Sequence, residues 1–338
     1  MTQMPVVELD ARTGYDFLVS GCADCGEPED LLPEDRGWLK EGREAVAAEL
    51  GDGDSARACI GFVSEIGRLL VGRPEIKTAR DVVSAVEKLS DAELLESLLG
   101  ELIENAETSV SARKALNGDV PAYSALSDQL AHWKGHPVMP QDLTALAPGA
   151  RRALSAWLPR FEQVEDRVAR MLARDVAGRH ADDAVTDPLG FVEKATNGIR
   201  MVPEQRTRRV VLAPSYFGRP YNSLAKVGET TLVCYPIADS ALGAGGRTAP
   251  PVATVRLYRA LGDESRLRIL RLLSERDLYL TELATQLDLS KPTVSHHLAQ
   301  LRSAGLVTMT EQGNLTYYTL RRDRVEEAGP ELSAFLAR

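Results

Sequence analysis

Four cysteines and five histidines are the residues of this 338-residue chain with the most direct capacity for chemistry. Cys22-Ala-Asp-Cys25 has the spacing of a redox dithiol or of half a zinc site. A redox dithiol needs a strand-turn-helix setting, and the segment before it, YDFLVSG, sits in no βαβ pattern. A zinc site needs a second ligand pair. Cys59, Cys234, His132 and His136 are the candidates, and none forms a pair at the usual spacing. Cys22 and Cys25 therefore read as incidental, and a reducing compartment keeps the four cysteines mostly as thiols. His132 and His136 lie four apart, as on a metal-binding helix, but Gly135 and Pro137 end the helix there. His180 is isolated. The sequence contains no GxSxG, Walker loop, GxGxxG or HExxH. Neither a catalytic site nor a metal or cofactor is expected.

Aromatic residues offer a second kind of chemistry. Tyr216, Phe217, Tyr221 and Tyr235 fall together in a β-rich stretch and could line an effector pocket. Packing within a hairpin is the simpler reading of the same residues. Trp38, Trp133 and Trp157 lie on helical patterns and read as core anchors.

The most informative stretch is LTELATQLDLSKPTVSHHLAQLRSAGLV, Leu280 to Val307. It reads as a short helix, a turn at Asp288-Leu-Ser290, and a second helix from Lys291 to Ser303 stopped by Gly305. Ser290 is placed to cap that helix and Pro292 fits its first turn. At 100° per residue, Val294, Leu298 and Leu301 form one apolar stripe for the core. Opposite lie Pro292, His296, Ala299, Gln300 and Ser303, flanked by Thr293 and Ser295, with His297 between the faces. That outer face is polar and uncharged in its middle, which suits base edges in a major groove. Lys291 sits where helix N–H groups favour a phosphate. After this helix, Leu306–Thr310 and Leu315–Leu320 alternate like two strands, joined by Glu311-Gln-Gly-Asn314.

With ALGDESRLRIL before it and YYTL closing the hairpin, this region resembles the winged-helix domain of the ArsR/SmtB-type bacterial regulators, over about a quarter of the chain. The resemblance implies a homodimeric transcription factor, usually a repressor, that binds a palindromic double-stranded DNA operator and leaves it when an effector binds. It makes Lys291–Ser303 the recognition helix and the Glu311–Asn314 turn the wing tip. The expected DNA-binding residues are Ser290, Lys291, Thr293, Ser295, His296, His297, Gln300, Gln312, Asn314 and Tyr317. The resemblance also implies that helices near 253–261 and 324–337 carry the dimer interface. Two features depart from the family pattern. Positions where many members carry metal-binding cysteines hold Tyr279 and Thr281, and Arg324–Arg338 contains no histidine. The long N-terminal region has no counterpart in the simple metal-responsive members.

The whole chain is expected to be mainly α with small β elements. Residues 1–237 read as a mostly helical sensory or dimerisation domain. Helical patterns run near 33–50, 54–71, 78–89, 91–105, 120–133 and 148–177. Val6–Leu9 reads as a strand, and Arg209–Ala213 and Thr230–Tyr235 as strands of a short hairpin. A Gly- and Pro-rich linker fills 238–252, and a winged helix-turn-helix fills 253–338. An enzyme, or a small-molecule-binding domain fused to the DNA-binding module, is the alternative for the N-terminal region. A protein contact is the alternative for the winged helix. No apolar run approaches the roughly 20 residues of a membrane span. The opening MTQMPVVELDARTG does not read as a signal peptide, so a cytoplasmic location is expected. The net charge of −9 is uneven: residues 1–252 hold 28 basic and 38 acidic residues, 253–322 hold 10 and 7, and 323–338 hold 2 and 4. The acidic total therefore does not exclude a nucleic-acid partner.

Overall fold

The computed structural model describes residues 4–22, 26, 28–51, 63–105, 108–131, 139, 142–202, 207–243, 251–312 and 315–337. Two compact units divide the chain. One joins Glu8–Gly178 to Arg209–Ile237; the other joins Arg179–Arg208 to Ala238–Arg338 and includes the first residues through Val7. Among the described residues no helix is long and apolar enough to cross a membrane.

The first unit is helical around one small sheet. Its helices are α1 (Thr13–Gly21), α2 (Pro33–Leu50), α3 (Ala79–Glu87), α4 (Asp91–Leu98), α5 (Gly100–Glu104), α6 (Ser109–Leu116), α7 (Val120–Ala131) and α8 (Leu146–Ala177). In chain order its sheet uses β1 (Val6–Leu9), β3 (Arg209–Ser215), β4 (Ser223–Val227) and β5 (Thr230–Pro236), arranged β1-β3-β5-β4. The expected hairpin between 209–213 and 230–235 is not the pairing observed. Those segments run parallel, Arg209 opposite Thr230 through Ser215 opposite Pro236. The antiparallel partner of β5 is β4, joined to it by the tight turn at Gly228, φ +60°. A parallel pair needs a longer crossover than a hairpin turn, and the stretch 216–229 supplies it.

Helix α1 was not visible as a pattern because eight of its nine residues are buried, leaving no amphipathic stripe to detect. The expected helix 91–105 is two helices. The break leaves space for Arg68: a Cβ on Gly100 would lie 2.5 Å from its Nε, and the guanidinium pairs with Glu104 at 2.6 Å. Helix α8 buries Ala150, Leu154, Trp157, Phe161, Val164, Val168, Met171 and Leu172, a 3.6-residue period that matches its expected extent. Phe161 meets Phe17 edge-on at 5.3 Å, and Trp157 packs against Trp38 at 5.4 Å. Trp133 lies outside the described residues.

Asp16 is fully buried in this unit. It accepts hydrogen bonds from the Ser215 hydroxyl and from the backbone N–H groups of Tyr216 (3.2 Å) and Phe217 (3.1 Å), which fixes the turn after β3. Burial pushes its carboxyl up to about 6, with those hydrogen bonds opposing the rise. A folded-state value above the unfolded one means that ionised Asp16 weakens folding at neutral pH and that acidification relieves the penalty. Relative to Asp16→Asn, the wild-type unfolding free energy should therefore gain roughly 1 kcal/mol between pH 7 and pH 5. Denaturant unfolding of both proteins at the two pH values measures this; a constant difference would refute it.

Candidate nucleic-acid interface

The second unit holds α9 (Ala181–Thr186), α10 (Pro188–Ala195) and β2 (Ile199–Arg200). It continues after 238 with α11 (Val252–Leu261), α12 (Glu264–Leu273), β6 (Leu278–Tyr279), α13 (Leu280–Leu287) and α14 (Lys291–Ser303). The hairpin β7 (Val307–Gln312) and β8 (Leu315–Leu320) follows, then α15 (Arg322–Glu326) and α16 (Ala328–Leu336). One core joins α11 to α14, the hairpin and α16 through Leu257, Ile269, Leu283, Leu287, Val294, Leu298, Leu301, Leu306, Val307 and Ala328.

Local chemistry sets the helix-turn-helix. Asp263 caps α12, accepting from the Arg266 N–H at 2.9 Å. Asp288 ends α13 in the left-handed region at φ +54°, which turns the chain toward Ser290. Ser290 caps α14, accepting from the Thr293 N–H at 3.3 Å, and Pro292 occupies the first turn. Val294, Leu298 and Leu301 are buried, so the apolar stripe faces the core as its period requires. Gly305 leaves the helix at φ +74°, where a side chain would be strained.

Arg266 lies beneath α14 and is only 9% exposed. Its Nε donates to Ala260 O at 2.7 Å and its Nη2 to Arg259 O at 2.8 Å, both carbonyls at the end of α11. Its Nη1 donates to Gln300 Oε1. The Gln300 amide nitrogen lies 3.0 Å from His296 Nε2.

Ser290, Lys291, Ser295 and His296 are exposed. Thr293 and Gln300 are half-buried, each held by a hydrogen bond to a neighbour in or beside α14. His297 is tucked inward, with Nδ1 3.9 Å from Asp263 Oδ1. Burial holds its imidazole below the ordinary value against the opposing pull of Asp263. Ser303 is a correction: it is buried, not part of the outer stripe, and its hydroxyl donates to Gln300 O at 2.8 Å. The reason lies far away in sequence, where Asn197 covers this end of the helix and approaches Ser303 O and Gly305. After Asn197, β2 pairs in parallel with β7, Ile199 opposite Met309, a wing-edge strand that the sequence pattern did not reveal.

At the wing, Tyr317 on β8 is half-buried and stacks edge-on against Tyr279 at 5.8 Å. The backbone of Gln312 pairs with Leu315 at the end of the hairpin, and Asn314 lies outside the described residues.

The segment 263–309 matches the family model described as bacterial regulatory protein, arsR family. An uncharacterized HTH-type transcriptional regulator of Methanocaldococcus jannaschii is 38% identical over 72 residues, 21% of this chain and 81% of that protein. The chain belongs to the ArsR family. The arsenical resistance operon repressor of Escherichia coli is 45% identical over 67 residues, 20% of this chain and 57% of the repressor. The transcriptional activator HlyU of Vibrio cholerae is 39% identical over 72 residues, 21% of this chain and 67% of the activator. The ArsR-family likeness in these comparisons lies in the C-terminal region, and the relatives are transcriptional regulators.

The aromatic residues considered for an effector pocket belong to the other unit. Tyr216, Phe217 and Tyr235 are at most 1% exposed. Tyr216 OH bonds Asp35 at 2.6 Å, Tyr235 OH bonds Asp175 at 2.8 Å, and Phe217 packs against Trp38 at 5.5 Å. Tyr221 is half-buried. Tyr216, Phe217 and Tyr235 are interior packing of that unit, with both tyrosine hydroxyls anchored. Against the expectation that the cysteines are mostly thiols, Cys22 is disulfide-bonded, whereas Cys234 is a buried free thiol. Cys25 and Cys59 lie outside the described residues.

Arg266 supplies the test of this geometry. Arg266→Met removes the side-chain donor to two carbonyls and to Gln300, and should destabilise the winged-helix unit by about 2–3 kcal/mol. Arg266→Lys should recover only part, since an ammonium cannot reproduce the planar fork. Thermal unfolding of the full chain reads both effects, and an Arg266→Met variant as stable as wild type would contradict this account.

Proposed function

We propose that this ArsR-family chain is a cytoplasmic, homodimeric, DNA-binding repressor whose first unit senses an effector. One observation carries the DNA reading: Ser290, Lys291, Ser295 and His296 stand exposed on a helix whose opposite stripe is locked into the core of a winged helix-turn-helix. Lys291 at the helix start is suited to a phosphate, and the small polar side chains beyond it to base edges. The sequence boundaries, 1–237 for the sensory unit, 238–252 for the linker and 253–338 for the reader, are kept with one change: Arg179–Arg208 goes with the reader, since β2 pairs with β7.

A dimer reading is supported by the apolar side chains left exposed on the two helices that flank the reader. Val255 and Tyr258 on α11, and Leu332 and Leu336 on α16, are 36–73% exposed, and Tyr258 OH ties the helices together by donating to Ala328 O at 2.8 Å. Two copies joined there would address a palindromic operator with half-sites about one helical turn apart. Repression follows if the bound dimer blocks transcription. Effector binding in the first unit would change the spacing of the reading helices. Support for a sensory role is the presence of a separate unit with its own core.

Duplexes selected from a random library by the full chain test the DNA reading. Binding should weaken steeply with salt. Lys291→Ala should weaken selected and random duplexes alike and lower the salt slope by about 1. Failure to enrich any duplex would overturn the proposal. For the dimer, sedimentation should show that Leu332→Glu combined with Leu336→Glu yields monomers that bind the selected duplex at least tenfold more weakly; an intact dimer would place the interface elsewhere.

A further inference from the structure

The Gln300 amide carries one acceptor, Oε1, and one donor group, the Nε2 NH2. The Arg266 guanidinium has donors only, so Oε1 of Gln300 must face it. The amide NH2 is thereby turned toward His296 Nε2, 3.0 Å away. A donor aimed at that ring nitrogen requires a lone pair on it. In the neutral ring the proton must then sit on Nδ1. Gln300 cannot rotate its amide without presenting N–H groups to a guanidinium whose Nε and Nη2 are already committed to the carbonyls of Ala260 and Arg259. Among the described residues Nδ1 of His296 has no protein partner, and the residue is exposed on the outer face of α14.

We propose that Arg266 and Gln300 hold His296 as the Nδ1–H tautomer, so that it offers DNA one N–H donor and selects guanine at one position of each half-site. This rests on α14 being the DNA-reading helix. In the major groove guanine shows two acceptors, N7 and O6, with no donor between them. Adenine sets its N7 beside the N6 amino donor, thymine sets O4 beside a methyl group, and cytosine presents a donor. A lone N–H therefore favours guanine most and cytosine least. Gln300 is a positioning residue here, acting through His296 rather than on the base.

The tautomer is measurable without DNA. The full chain, with ring-15N histidine, contains five histidines, and His296→Gln assigns the signal of interest. The expected long-range 1H–15N pattern shows the proton on Nδ1 and a bare Nε2. Gln300→Glu keeps an oxygen for Arg266 but presents a second oxygen to His296, and should move a proton onto Nε2. Gln300→Met removes the constraint and should release the Nε2–H form. A wild-type ring protonated at Nε2, or a ring indifferent to both substitutions, overturns the proposal.

The DNA arm uses a duplex enriched by the full chain, with 7-deazaguanine replacing each guanine in turn. At one guanine per half-site, wild-type affinity should fall about fivefold, the worth of one hydrogen bond. His296→Ala should bind both duplexes equally. Enrichment of no duplex removes the DNA reading and this proposal with it, whatever the tautomer. An enriched duplex in which every guanine tolerates the change, or in which the sensitivity survives His296→Ala, overturns the guanine assignment alone.

Discussion

A buried guanidinium must have its donors filled, and in the reader unit that requirement falls on Arg266. Leaving such a cation unpaired away from water would cost several kcal/mol. Its acceptors come from two helices: the carbonyls of Arg259 and Ala260 at the end of α11, and the Gln300 side chain on α14. One side chain thus ends one helix and sets the rotation of another. The apolar stripe of Val294, Leu298 and Leu301 decides which way α14 faces, but hydrophobic contact is non-directional and tolerates small rotations. The Arg266 hydrogen bonds are directional. They turn an approximate orientation into a defined placement of His296 and leave Ser295 and Lys291 in fixed relation to it.

The same rule governs the other unit. Asp35 is buried and is met by the Arg167 guanidinium and by Tyr216 OH. Arg12 spreads its donors over Asp10, Tyr15 and the carbonyls of Leu70, Arg73 and Ile76. Asp16 has two N–H groups and a hydroxyl, yet its carboxyl is still pushed up by burial. These polar anchors lie among large rings, so Tyr235 on β5 and Tyr216 and Phe217 in the turn after β3 serve as walls around satisfied charges. A unit assembled in this way has a single well-specified packing.

The elements legible in the sequence were those whose periodicity or capping is local. Helix α14, its Ser290 cap, its Pro292 and its buried stripe could be read because each signal lies within 13 residues. Helix α8 could be read for the same reason. Helix α1 could not, since burial on nearly all sides erases the period. The parallel pairing of β3 with β5 was missed because register depends on a crossover, whereas a hairpin is a local event. In the reader, the exposed polar positions at Lys291, Ser295 and His296 follow from the helical wheel. Ser303 does not, because Asn197 covers it from 106 residues away. The Arg266–Gln300 pairing likewise joins residues 34 apart through a flexible side chain, which no pattern of hydrophobicity encodes.

These placements bear on how the reader divides affinity from specificity. The segment 253–322 carries 10 basic and 7 acidic residues, so its net attraction for a polyanion is weak, and the remainder of the chain is acidic. On the exposed face of α14, Lys291 is the only formal charge. Non-specific binding, which scales with phosphates neutralised, is therefore small for one protomer. A small non-specific term lowers the background against which base contacts must discriminate. It also favours the proposed pairing of two readers on one duplex, because linked sites multiply affinity without adding charge. A neutral reading face then requires that its few hydrogen-bonding groups be fixed in donor or acceptor sense. A histidine with its tautomer left open would accept as readily as it donates. In the proposed reading, the buried guanidinium behind α14 removes that ambiguity without adding a positive charge to the exposed face of the helix.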